Sequence, residues 1–144
     1  MYCLIFHINR EYLLQEYCEQ LIEMAVCFGV ERLAFIDQTD GCLMAGVTNI
    51  RPAQLETHVF FDLADALEVL GGSPVFFEEG QATPLTAFQP PARPVYIFGP
   101  DLGGLVVPDG AEGVSIETAC PGHLWSQQAA AIALNDFRLK LLPD

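Results

Sequence analysis

Positive charge is what this sequence has least of. Against 19 acidic residues stand six basic ones, Arg10, Arg32, Arg51, Arg93, Arg138 and Lys140, giving a formal charge of −13. Proteins hold phosphate backbones by neutralising them with Lys and Arg, so charge alone disfavours RNA or DNA as a partner. The six cations are scattered, and net negative charge of this kind helps keep a chain dispersed in water. Other absences narrow the field. No Cys-x-x-Cys occurs, and the five cysteines (Cys3, Cys18, Cys27, Cys42, Cys120) suit reduced thiols packed as small hydrophobes better than a disulfide framework. The apolar start, residues 1–8, is short and has no basic flank ahead of it, unlike a secretory leader. The longest uncharged run, residues 118–135, contains Pro121, His123, Ser126, Gln127 and Gln128, too polar a mixture for a membrane span. Neither an internal repeat nor a low-complexity tract is present. These absences predict a soluble, cytoplasmic chain that engages no membrane and no metal.

What remains is a chain built to bury a core. It has 144 residues, 51% of them hydrophobic and 17% charged, which fits one domain covering residues 1–144 and leaves little room for disorder. Residues 2–8 read as a first strand. Asn9 can cap the helix that follows, with Glu11 well placed in its first turn. Across residues 11–28, Leu14, Tyr17, Leu21, Ala25 and Phe28 recur every three or four positions with Glu16, Glu19 and Glu23 between them, an amphipathic helix that Gly29 stops. Residues 33–37 form the next strand. Strand, helix and strand make a βαβ unit, hence a parallel sheet.

Residues 39–54 carry turn residues without a period and predict a loop, with a short element near Leu43. Residues 62–70 predict a second helix with Asp62 as cap and Gly71-Gly72 as its end, and residues 74–77 another strand. Residues 80–94 hold Pro84, Pro90, Pro91 and Pro94 and predict a surface loop. A strand at 113–116 and a helix at about 123–141 complete the chain. Arg138 and Lys140 sit near the negative end of that helix's dipole. Strands alternating with helices give an α/β architecture, a mostly parallel sheet flanked by helices.

The most informative stretch is Val95-Tyr96-Ile97-Phe98-Gly99-Pro100-Asp101-Leu102-Gly103-Gly104-Leu105. It reads as a buried strand ended by Pro100 and breaking into a glycine-rich loop. Open α/β sheets bind ligands at such loops, beyond the carboxyl ends of their strands. The spacing is not the Gly-x-Gly-x-x-Gly dinucleotide fingerprint. The first βα turn (Ile8-Asn9-Arg10) lacks glycine and Asp37 is a weak ribose ligand, so a nicotinamide cofactor is disfavoured.

Other constellations are incomplete. Cys120 and His123 could supply two metal ligands, but no second pair exists. A nucleophilic Cys120 activated by His123 would need an orienting acid that the sequence does not place. Glu78-Glu79 could be an acid/base pair, although adjacent acids at a strand end are usually solvated. His7 and His58 are lone histidines among apolar residues and carry no assigned role. Trp125 and the neighbouring alanines read first as helix packing.

Three blocks together resemble the SpoU-type RNA methyltransferases of the SPOUT superfamily: Phe28-Gly29-Val30; Phe98-Gly99-Pro100-Asp101-x-x-Gly104-Leu105; and Ile116 followed by Ala129-Ala130-Ala131-Ile132. The resemblance spans nearly the whole chain. It implies a deep carboxyl-terminal trefoil knot, a homodimer, and S-adenosylmethionine held bent by backbone groups of the knot loops. By position, the cofactor would meet Phe77, Glu78 and Glu79, then Phe98, Gly99 and Pro100, then Ile116 and Glu117, then Leu124 and Trp125. An apolar slot with a few orienting polar groups suits the adenine.

Departures from the pattern fall on the chemistry. The family's first-helix asparagine, glycine and arginine are Tyr17, Glu19 and Glu23 here, and its Ser-Leu-Asn motif is His123-Leu124-Trp125. Its isoleucine-proline pair is Ile116-Glu117. The groups that would deprotonate and position a ribose are replaced, so the catalytic residues stay unassigned. Two functions follow. One is a ribose 2′-O-methyltransferase of tRNA or rRNA with degenerate catalytic motifs. The other is an inactive homodimer serving as a cofactor-binding or protein-interaction module.

Overall fold

The computed structural model describes residues 1–8, 14–38, 54–100 and 103–143. Asn9, Glu11, Cys42, the element expected near Leu43, Asp101 and Leu102 lie outside them. The described chain runs β1 (Cys3–His7), α1 (Leu14–Cys27), β2 (Arg32–Ile36), β3 (Glu56–Phe60), α2 (Leu63–Leu70), β4 (Ser73–Phe77) and β5 (Thr83–Pro84). A single 3-10 turn (Leu85–Ala87), β6 (Pro94–Phe98), β7 (Glu112–Ser115) and α3 (Ser126–Lys140) follow.

The strands form one sheet in the order β3-β2-β1-β6-β4-β7-β5. Every pairing is parallel, with Leu4 beside Leu33 and Tyr96, and Phe77 beside Phe98. Parallel sheets need both faces covered, and period two along each strand supplies two apolar faces. Leu4, Phe6, Phe35, Phe77, Tyr96 and Phe98 face α1 and α3, which contribute Cys18, Leu21, Ile22, Ala130, Ala133 and Leu134. Cys3, Ile5, Ala34, Phe76, Val95 and Ile97 face α2 through Ala66 and Leu70. Asp62 caps α2 as expected, its Oδ1 accepting the Asp65 N–H at 2.8 Å. The four described cysteines are free; burial pushes the thiols of Cys3 and Cys18 up to about 12, keeping them protonated packing groups.

Two expectations need correction. No strand was expected at residues 56–60, where Glu56-Thr57-His58-Val59-Phe60 offers little apolar pattern, yet it pairs with β2 along its whole length. As an edge strand with only Thr57 buried, it follows its neighbour's register more than its own propensity. The proline-rich segment 80–94 is also more than a surface loop. Its Thr83-Pro84 adds to β7, and Leu85 and Phe88 are buried in the core. The Lys140 ammonium donates to the carbonyls of Leu85 and Phe88 at 2.7 and 2.6 Å, tying the end of α3 to this segment.

Sheet order dictates the path that makes the site. The chain leaves β6, covers the α2 side of the sheet with Leu105, Val107 and Ala111, and enters β7 on the far side of β4. Residues 116–125 then bring it back past the end of β4 to β6. There the Ser126 hydroxyl donates to the Gly99 carbonyl at 2.6 Å. α3 therefore begins at Ser126, later than the expected His123.

Candidate functional site

Three segments meet at the carboxyl end of the sheet: the turn after β4, the glycine loop after β6, and the return segment into α3. Between them lies an open pocket lined by residues of all three segments. Its floor is aromatic. Phe77 and Phe98 stack with ring centroids 4.9 Å apart, and Phe6 stacks beneath Phe98 at 5.2 Å. Val114, Ile116, Leu124 and Ala129 complete the apolar lining.

The β6 loop approaches closely because its glycines permit it. A Cβ on Gly99 would lie 2.7 Å from the Leu105 Cβ and 3.0 Å from the Leu105 nitrogen, so Leu105 can approach the end of β6 this closely only past a glycine. Gly104 has a φ of +72°, and a Cβ on it would stand 3.4 Å from Glu78 Oε2. That carboxylate fixes the loop. Glu78 Oε2 accepts the Leu105 N–H at 2.6 Å and Oε1 accepts the Glu79 N–H at 2.8 Å. Ser115 pins the turn after β4 from below, its hydroxyl accepting the Gln81 N–H at 2.6 Å and lying 3.0 Å from the Glu78 carbonyl. Beside the loop, His7 Nδ1 lies 3.0 Å from the Phe98 carbonyl and so donates to it. Burial lowers the pKa of this imidazole below its ordinary value, against the opposing pull of that hydrogen bond.

The structure brings most of the expected site residues to this pocket. Phe77, Glu78 and Glu79 line it from β4, Phe98, Gly99 and Pro100 from β6, and Ile116 and Leu124 from the return segment. Glu117 and Trp125 do not line it. The Glu117 carboxylate accepts the Thr86 hydroxyl at 3.0 Å, away from the cleft. The Trp125 side chain is exposed and packs edge-on to the His123 ring. Tyr17, Glu19 and Glu23, on α1, are not among the pocket-lining residues either.

Sequence reasoning missed Gly104, Ser126 and His123 as pocket residues. Gly104 and His123 had been noticed for other reasons, but Ser126 gave no signal, since its role depends on a contact 27 residues away. Among the described residues, no group of three or more metal-ligating side chains gathers. No helix of the described residues is long and apolar enough to cross a membrane.

The sequence matches no protein-family model and no curated protein. Its fold does have solved counterparts. An AdoMet-bound rRNA methyltransferase from Sinorhizobium meliloti superposes over 99% of this chain with a TM-score of 0.69 at 16% identity. A structure described for 2-OH methylation of C/U34 on tRNA also gives 0.69 at 16% identity, covering 97% of this chain and 96% of that one. The TrmH/SpoU tRNA-modifying enzyme of A. aeolicus gives 0.68 at 12% identity, over 96% of this chain and 74% of that one. This chain spans 57% of the Sinorhizobium protein's length. This chain therefore shares the fold of these solved structures, an α/β fold with a parallel sheet flanked by helices.

Proposed function

We propose that this chain binds S-adenosylmethionine in the carboxyl-end pocket and transfers its methyl group to a ribose 2′-hydroxyl of RNA. In this reading it is a cytoplasmic homodimer, and the return of residues 116–125 past β4 completes a trefoil knot. The observation that carries the reading is how the pocket is built. Its walls are apolar side chains and backbone, and Gly99 and Gly104 leave space that a Cβ would fill. Such a cradle suits a flat adenine, with backbone groups left to orient it. Among the described residues the lining also holds two carboxylates, Glu78 and Glu79, and no Lys or Arg, which complements a ligand bearing a sulfonium and an ammonium group.

When bound, the cofactor supplies an electrophilic methyl group. The protein's own contribution is to hold it in line with the acceptor, and positioning alone can supply much of such a rate. Phe77, Phe98 and Leu124 exclude water from one side, while Glu78 holds the Leu105 backbone in place beside the slot.

Unfolding with and without the cofactor tests the reading. At about 100 times its dissociation constant, S-adenosylmethionine should add about 2.7 kcal/mol of stability. Transfer of label from methyl-labelled cofactor to cellular RNA, recovered as 2′-O-methylnucleoside, would establish the activity. Absence of stabilisation at millimolar cofactor contradicts the reading, and stabilisation without transfer leaves the binding-module alternative. Light scattering on the same sample reads the dimer.

A further inference from the structure

S-adenosylmethionine and S-adenosylhomocysteine, the product left when its methyl group is transferred, differ by one methyl and one positive charge. The departing methyl leaves its bonding electrons on sulfur, so a sulfonium becomes a neutral thioether. Apolar walls such as Phe77, Phe98 and Leu124 strip water from a charge, and on that ground alone the pocket would favour the thioether. Product would then hold the slot against fresh cofactor.

One lining residue opposes this. Glu78 follows β4, partly buried, and its carboxylate is held at both oxygens, by the Leu105 N–H at 2.6 Å and the Glu79 N–H at 2.8 Å. Both donors are neutral backbone groups, so they orient the carboxylate without cancelling its charge. Glu79 is placed differently. Its side chain is 63% exposed and turns to His123, whose Nδ1 lies 3.0 Å from Oε1. A charge so exposed is well screened by solvent.

We propose that Glu78 is the specificity-determining residue that makes this pocket prefer the sulfonium cofactor to its neutral thioether product. The assignment rests on the S-adenosylmethionine reading above. Because backbone bonds already fix the carboxylate, it attracts a positive charge in the slot without first having to be ordered. Opposite unit charges near a protein surface attract strongly enough that, even partly screened, a preference of about tenfold is expected. Such a preference lets fresh cofactor displace product after each transfer.

Calorimetry with S-adenosylmethionine and S-adenosylhomocysteine on the native chain, Glu78→Gln and Glu79→Gln tests the assignment through the ratio of the two affinities. The native chain should bind the sulfonium about tenfold more tightly. Glutamine keeps the size of Glu78 and an acceptor for Leu105 but removes the charge, and should bring the two ligands within about twofold. Glu79→Gln should leave the native ratio within about twofold. If Glu78 served only to shape the loop, its loss would weaken both ligands alike, so an unchanged ratio in Glu78→Gln overturns the assignment. In that case the faces of Phe77 and Phe98 would be the source of any preference. Salt supplies a check that needs no variant: the native ratio should shrink as salt rises from about 0.02 to 1 M, and a ratio indifferent to salt also overturns the assignment. If the native chain binds both ligands equally, the assignment falls and the cofactor pocket stands. If it binds neither, both readings fall together.

Discussion

The two ends of the sheet are built from similar residues and arranged to opposite effect. At the amino end, charged and aromatic groups satisfy one another. The Tyr2 hydroxyl donates to the Leu70 carbonyl and accepts from Arg32, and the guanidinium groups of Arg32 and Arg93 lie 5.0 and 4.4 Å from the Tyr2 ring centroid. Arg32 Nε then donates to Glu56 at 2.8 Å, which holds that carboxyl below its ordinary range, and His58 bonds the other carboxylate oxygen at 2.9 Å. At the carboxyl end, Glu78, Ser126 and His7 spend their hydrogen bonds on loop backbone, holding an open pocket instead of filling it. Polar residues close one end of this sheet and prop the other open. The second arrangement is the one expected where ligands bind in parallel α/β folds.

Substitutions should separate the two ends. Gly99→Ala should have the largest effect, because its Cβ would stand 2.7 Å from that of Leu105 and force the loop aside. A loss of about 1–3 kcal/mol in denaturant unfolding is expected, with S-adenosylmethionine affinity down at least about tenfold by calorimetry. Ser126→Ala comes next. It removes the buried hydroxyl that anchors α3 to Gly99 and should cost about 1–2 kcal/mol, together with a weaker loss of cofactor affinity.

A smaller effect is expected from His7, through pH. Its folded-state pKa is depressed below the ordinary 6.5, so below that value the unfolded chain binds the proton more readily than the folded one. Stability should therefore fall as pH drops through 6.5 and level off below the folded value. His7→Asn, which can still donate to Phe98, should flatten that part of a stability–pH curve. Least of all, Glu56→Gln at the amino end should change stability by no more than about 1 kcal/mol, since the Arg32–Glu56 pair is largely exposed. It should leave cofactor affinity unchanged. A tenfold loss of affinity from that variant would break the distinction between the two ends.

The parts of the fold legible in the sequence are those fixed by local pattern. Residues 95–98 and 33–36 are continuous apolar runs buried on both faces, and such runs read as central parallel strands without further context. α1 showed its period and α2 its Asp62 cap, both determined within a few residues. Edge elements were not legible. The β3 residues alternate weakly, and the two residues of β5 include a proline, so only pairing to a neighbour makes them strands. The site divides in the same way. Gly99 and Pro100 declared a loop, whereas Ser126 and the Glu79–His123 pair depend on a returning chain that no local pattern encodes.

Amide chemical shifts during titration with S-adenosylmethionine test the central claim most directly. Saturable changes gathered at residues 77–79, 98–105 and 116–126, with the signals of Tyr2, Arg32 and Glu56 unmoved, are the predicted result. Changes centred on the amino end, or none at millimolar cofactor, would contradict it.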